Sequence, residues 1–200
     1  MAMGNFTISI QGIKKIEKEL DKMSEQSKKA LQATARDMKS RIPSWVAQEV
    51  VQTYGIKKSE INPSKKSPKK LAGRIKVSGE TVSEVTVVYS GRTLTPVHFG
   101  MTPKQPKQKG RRVARRQPVK AAIKKGQKKT LHSQAFLGSN RGGGYIPFRR
   151  TGKAQYPIES IKTLSLPQMV DGDGVRERIE ERINVELEKR LEHNVERFMK

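Results

Sequence analysis

The C-terminal stretch Val175–Met199, VRERIEERINVELEKRLEHNVERFM, sets the helical part of the fold. Its apolar side chains recur at every fourth position: Val175, Ile179, Ile183, Leu187, Leu191, Val195 and Met199. Four residues turn a helix by about 400°, so this stripe moves by about 40° around the helix at each step. We therefore expect the first turns to pack on the body of the protein and the last turns to face something else, for which a partner subunit is one candidate. The predicted interface residues are Leu187, Leu191, Val195 and Phe198.

A second helical pattern begins after Gly12. Apolar or small residues are spaced there by threes and fours, at Ile13, Ile16, Leu20, Met23, Ser27, Ala30, Thr34 and Met38. Pro43 is expected to end this helix and to open another one, from Ser44 to about Thr53. At the other end of the chain, Asp173 is the expected N-cap of the C-terminal helix.

Between these helices the apolar period changes to two, which indicates strands. The candidates are Phe6–Ile10, Arg74–Val77, Val85–Tyr89, Val119–Ile123, a hairpin within Leu131–Phe148, and Tyr156–Leu166. The glycines of residues 139–144 are expected at the tip of that hairpin. The order of elements predicts a single α+β domain over residues 1–200.

Positive charge is concentrated in the middle of the chain. Of a formal net charge of +23, residues 57–153 carry +22, from 25 Lys or Arg and three Glu. Residues 101–130 contain no acid and several prolines, and they are predicted to form a basic extended arm, loop or β-ribbon, hereafter the basic arm. Its densest cations are Arg111, Arg112, Arg115, Arg116, Lys120, Lys124, Lys125, Lys128 and Lys129. They are candidates for contact with DNA or with an acidic partner, the alternative being a solvated loop.

Catalytic and cofactor signatures are missing from the sequence. There is no cysteine, the three histidines lie far apart, and no nucleophile or metal-ligand motif occurs. We therefore expect no enzyme activity, no cofactor, no metal and no small-molecule substrate. Neither a signal peptide nor a membrane-spanning run is present, so no membrane partner is expected.

One segment resembles the signature of a known family. Residues 152–162, GKAQYPIESIK, are similar to the Gly-Lys-x-x-Tyr-Pro-Ile pattern of the minor tail protein Z family of tailed bacteriophages and prophages. Weaker similarity in the same order covers Ala47–Ile61, Arg74–Val77, Ala135–Arg150 and Leu187–Lys200. The resemblance therefore extends over most of the chain.

The resemblance implies a structural virion protein. Members of that group are tail-completion or neck subunits that form rings around the DNA channel at the head-proximal end of the tail. It also implies an α+β fold in which a long N-terminal helix and a C-terminal helix pack on a small, mostly antiparallel sheet. The implied partners are further copies of the chain, neighbouring neck, connector and tail proteins, and packaged double-stranded DNA, after assembly in the bacterial cytoplasm.

A different class of function remains open at this point. The charge alone is also typical of a general nucleic-acid-binding protein without sequence specificity. That alternative predicts strong, salt-sensitive binding of free nucleic acid by the isolated chain.

Overall fold

Two long helices form the largest elements of the structure. The computed structural model describes residues 6–9, 25–63, 72–80, 82, 85–106, 108–109, 112–113, 118–140 and 142–199. Helix α1 is Glu25–Thr53 and helix α4 is Val175–Met199. They pack antiparallel. Arg178, in the first turns of α4, donates a hydrogen bond to Thr53 at the C-terminal end of α1, and Asn194, near the end of α4, donates one to Thr34 in the N-terminal half of α1. The predicted α+β class is confirmed.

Helix α1 confirms one part of the helix prediction and corrects another. The predicted positions Ser27, Ala30, Thr34 and Met38 are all buried in it, whereas residues 13–24 lie outside the described part of the chain. The predicted break at Pro43 is wrong, because α1 continues through it. An interior proline costs about 3 kcal/mol. Ile42 and Val46 are fully buried on either side of it, and their packing against one core holds the two halves of the helix in line.

The first sheet is antiparallel and three-stranded. It consists of β1 (Phe6–Ser9), β2 (Arg74–Ser78) and β3 (Thr86–Ser90) in the order β1-β3-β2. The β-branched run of β3 alternates between buried and half-buried residues, with Val87 and Tyr89 turned into the core. The strands predicted from alternation in these three segments are confirmed.

The second sheet lies in the C-terminal half of the chain. It consists of β8 (Phe136–Ser139), β9 (Tyr145–Arg150) and β10 (Ile158–Ser160) in the antiparallel order β10-β9-β8. The glycine-rich hairpin tip between β8 and β9 is confirmed. The predicted final strand, Tyr156–Leu166, is shorter in the structure, where β10 covers only Ile158–Ser160. Leu166 belongs instead to helix α3, Leu166–Asp171, which Ser165 and Gln168 open with a capping box.

Short elements connect these parts. Helix α2 is Lys58–Ile61, and a 3₁₀ turn covers Pro96–Phe99. Two-residue ladders pair β4 (Gln108–Lys109) with β5 (Arg112–Val113), and β6 (Lys120–Ala121) with β7 (Lys129–Thr130). The main core lies between α1, α3, α4 and the first sheet. A smaller cluster of Met101, Val119 and Ala135 lies under the second sheet.

Candidate functional site

The C-terminal part of the predicted basic arm is attached to the body of the protein. The N–H of Lys125 donates to the carbonyl of Thr53 at 2.8 Å, and the N–H of Gly55 donates to the carbonyl of Ile123 at 3.0 Å. Val119 and Ala121 are buried. This part of the basic arm therefore lies against the body, because the apolar alternation of Val119, Ala121 and Ile123 turns these three side chains towards the core. The rest, residues 124–130, is exposed.

A close approach of two backbone segments fixes this attachment. A Cβ atom on Gly55 would lie 2.0 Å from the carbonyl oxygen of Ala122. Only glycine lets the end of α1 and the strand-like segment come this near. The lysines of residues 118–130 are consequently held on a fixed surface, and their positions relative to one another are set by the fold.

Four of these lysines form the exposed cationic surface, which we call the lysine surface: Lys120, Lys125, Lys128 and Lys129. No described carboxylate lies within ion-pair distance of them. Residues 118–140 also contain no Asp or Glu at all. Unpaired ammonium groups on a rigid surface are suited to contact with phosphates or carboxylates of a partner.

Lys124 has a different environment from the four lysines of the lysine surface. Its Nζ donates to Oδ1 of Asp173 at 2.8 Å, and the hydroxyl of Tyr54 donates to Oδ2 of the same carboxylate at 3.1 Å. The hydrogen bond from Lys124, followed by that from Tyr54, lowers the pKa of Asp173. Burial, followed by the hydrogen bond to Asp173, raises the pKa of Tyr54 to about 12. Lys124 therefore holds the segment to the helices.

This arrangement corrects the predicted cap of the last helix. Helix α4 begins at Val175, so Gly174 precedes it directly. Asp173 adopts a left-handed conformation with φ of 54°, and its carboxylate faces Tyr54 and Lys124. Asp173 is therefore a link between α1, the lysine-bearing segment and the start of α4, and the N-cap prediction is wrong.

A buried carboxylate next to this link was not predicted from the sequence. Glu49 is 6% exposed. Its Oε1 accepts from Arg182 at 2.7 Å, and its Oε2 lies 3.7 Å from Arg178. Arg178 also donates to the hydroxyl of Thr53 at 2.6 Å. The two arginines stabilise the charge of a carboxylate that burial alone would destabilise.

The predicted arginines of the basic arm are only partly visible. Arg111, Arg115 and Arg116 lie outside the described residues, and Arg112 is described by its backbone in β5. The pairing of β4 with β5 is antiparallel, as a β-ribbon requires. The role of these arginines stays a prediction.

The predicted subunit interface on α4 needs correction at Leu187. This residue is 5% exposed in the main core, so the chain itself covers it. Leu191 is half-buried and packs against that core, and its interface role stays a prediction. Near the end of α4, the position that faces α1 is occupied by a polar residue, Asn194. Its side chain is buried and donates to Oγ1 of Thr34 at 3.1 Å.

The other two predicted interface residues keep part of their surface. Val195 and Phe198 are half-buried. The guanidinium of Arg197 lies 5.4 Å from the centroid of the Phe198 ring. For these two residues the interface role stays a prediction.

The segment that carries the family resemblance is on the surface. Every residue from 151 to 159 is exposed, and the side chain of Tyr156 is the most exposed large apolar group that the structure describes, at 68%. The fold therefore does not need these side chains for its core. Sequence reasoning singled out this segment only as a signature and did not predict that its side chains would be available to a partner.

Two further properties bear on the class of function. Within the described ranges, no three potential metal ligands come together. No helix among the described residues is long and apolar enough to cross a bilayer. No family model, curated protein or solved structure matches this chain.

Proposed function

We propose that this chain is a non-enzymatic structural subunit of a tailed phage or prophage particle. It acts as a tail-completion or neck subunit in a ring at the head-proximal end of the tail, around the DNA channel. The observation that carries the proposal is the exposure of residues 152–159, which make up most of the signature segment 152–162. Side chains that resemble a virion-protein signature and are not used by the core are suited to contact with neighbouring subunits.

In such a ring, we expect the lysine surface to face the DNA in the channel. Its four ammonium groups are fixed by the attachment of residues 118–130 to α1 and have no described acidic partner. A ring repeats this surface around its axis, so phosphates of DNA in the channel meet many cations at once. Contacts of this kind neutralise the backbone without reading its sequence.

The experiment that tests the proposal is disruption of the gene in its source phage or prophage. The induced lysate is imaged by electron microscopy. We expect free heads beside free tails, tails of abnormal length, or joined particles that fail to deliver DNA. Fully normal, infectious particles from the disrupted gene contradict the proposal.

Complementation links the phenotype to the exposed signature. Wild-type protein and the Val185→Ser variant, altered at a residue of α4 that is 43% exposed, are expected to restore infectivity. The Tyr156→Ser variant is expected to restore it poorly, although it folds normally. Equal rescue of infectivity by both variants would contradict a role of the signature segment in assembly.

The lysine surface also favours a second candidate, a general nucleic-acid-binding protein. The two functions differ in what the isolated chain does. The second candidate binds free duplex tightly, with an affinity that falls by about 0.9 log units per log unit of salt for each phosphate neutralised. A ring subunit binds free duplex weakly as a monomer, because its affinity depends on many copies.

A charge-matched pair of variants attributes any measured binding to the surface. The first variant combines Lys120→Gln, Lys125→Gln, Lys128→Gln and Lys129→Gln. The control combines Lys28→Gln, Lys29→Gln, Arg41→Gln and Lys189→Gln, all exposed on α1 and α4. If the isolated chain binds duplex tightly and only the first variant loses the salt dependence, the second candidate is favoured.

A further inference from the structure

Strand β10 is an open edge of the second sheet. In the sheet order β10-β9-β8, one side of β10 has no neighbouring strand among the described residues. The N–H of Thr151 donates to the carbonyl of Pro157, and the N–H of Ile161 donates to the carbonyl of Pro147. Because hydrogen-bonded pairs alternate along an antiparallel ladder, Ile158 and Ser160 turn their N–H and C=O groups away from β9.

These outward groups have no partner in the described part of the chain. An unpaired strand edge is a template for another extended segment. Proteins use this geometry to bind peptides by strand addition, in which main-chain hydrogen bonds supply affinity and alternate side chains supply specificity. The edge at Ile158 and Ser160 offers both partners of such a bond, a donor and an acceptor, at each residue.

The same edge carries exposed apolar surface. Tyr156 is 68% exposed and Ile158 is 37% exposed, and they stand two residues apart beside the open edge. Single exposed apolar residues are ordinary on protein surfaces. Two of them together at an unpaired edge, in a chain with so little apolar content, mark a contact surface.

The charges around the edge specify the partner. Lys153 and Lys162 are exposed next to β10, and Arg149 is paired across the strands with the single acid of the edge, Glu159, at 3.4 Å. An open cleft of about 560 Å³ adjoins β10 and is also lined by Leu131 and His132. The cations exceed the acids, so carboxylates of a partner are favoured there. A second copy of this chain is disfavoured, because it brings the same cations and a net charge of +23.

We propose that β10 binds an extended acidic segment of another protein by strand addition. The backbone of that segment pairs with Ile158 and Ser160, its apolar side chains contact Tyr156 and Ile158, and its carboxylates contact Arg149 and Lys162. The proposal goes beyond the structural role in a virion and does not depend on it, since it concerns peptide binding by the isolated chain.

The test selects the ligand from a random library of displayed twelve-residue peptides panned on the full-length protein. We expect enriched peptides that alternate acidic residues with β-branched or aromatic ones. Their binding is measured by fluorescence anisotropy. Failure to enrich any peptide, or enrichment of peptides without acidic residues, overturns the proposal. Enrichment of segments of this chain itself points to self-association and also overturns it.

Peptide chemistry separates strand addition from other modes of binding without altering the protein. N-methylation of the peptide at alternate residues blocks only one of its two edges. We expect methylation on the edge that faces β10 to lower the affinity by about tenfold or more per bond, while methylation at the intervening residues has little effect. Equal sensitivity at all positions shows that the main chain is not read and overturns the proposal.

Protein variants locate the site. Ser160→Pro removes an outward N–H and leaves the pairing with β9 in place, so it is expected to weaken the enriched peptide by about tenfold. Tyr156→Ser lies outside the paired residues of β10 and is also expected to weaken binding of the peptide, whereas Val185→Ser is expected to leave binding unchanged. Loss with Val185→Ser, or unchanged binding to Tyr156→Ser and Ser160→Pro, contradicts the assignment. Nucleic acid that displaces the peptide from β10 would instead assign the edge to a polyanion.

Discussion

The junction of α1 with α4 and the edge at β10 differ in the burial of their charged and apolar side chains. At the junction, Glu49 is buried between two arginines, and Asp173 joins Tyr54 to Lys124. At the edge, the charges are exposed, and the apolar side chains of Tyr156 and Ile158 face solvent. This chain therefore pairs its charged groups in buried surroundings where it needs rigidity, whereas at β10 its one ion pair is solvent-exposed and its apolar side chains have no covering partner among the described residues.

The largest expected difference between the two regions comes from one residue type. Ile183 is 1% exposed in the core beside α1, whereas Ile158 is 37% exposed. Ile183→Ala is expected to lower the free energy of unfolding by about 2–5 kcal/mol, because it leaves a cavity. Ile158→Ala is expected to change it by less than about 0.5 kcal/mol. Chemical denaturation measures both. Similar losses for the two variants would show that the edge is part of the core.

The next difference concerns carboxylates. Glu49→Gln keeps the shape of the side chain and removes the charge that Arg178 and Arg182 face. We expect a loss of about 2 kcal/mol in the free energy of unfolding, since a buried ion pair is broken while its arginines stay partly solvated. Glu159→Gln removes a solvent-exposed ion pair with Arg149 and is expected to cost at most about 0.5 kcal/mol. A cost for Glu159→Gln equal to that for Glu49→Gln would contradict the contrast in burial.

The elements that follow a clear period were predictable from the sequence. The alternation in β2 and β3, the glycine tip between β8 and β9, and the four-residue repeat that begins α4 each have one favourable solution. Pro43 misled the prediction, because the helix break it favours locally is outweighed by packing of Ile42 and Val46 on the same core. Local rules contain no information about such long-range contacts.

The candidate site was less predictable, for a related reason. The alternation of Val119, Ala121 and Ile123 did indicate a strand, but the surrounding lysines favoured an arm by composition. Only the structure shows that α1 lies close enough for Gly55 to bond to Ile123. Likewise, nothing in the sequence pairs Glu49 with arginines that are more than one hundred residues away. Partners distant in sequence are set by topology.

The smallest expected effect tests the link between the two long helices and the lysine-bearing segment through pH. Asp173 has a lowered pKa in the folded state, because Lys124 and Tyr54 donate to its charged form. The stability that it contributes is therefore complete above about pH 4, the ordinary range of an aspartate in the unfolded chain, and is lost as the pH falls through the lower folded pKa. Asp173→Asn should destabilise the protein slightly at pH 7, and the difference from wild type should shrink below about pH 4. Urea denaturation at a series of pH values measures that difference, with the exposed Asp171→Asn as the control.

Hydrogen exchange adds a local readout of the same link. The amide N–H of Lys125, which donates to the carbonyl of Thr53, should exchange faster in Asp173→Asn than in the control. An unchanged exchange rate at Lys125 would mean that the backbone bonds alone hold residues 118–130 in place, and that the lysine surface does not depend on the ion pair of Lys124 with Asp173.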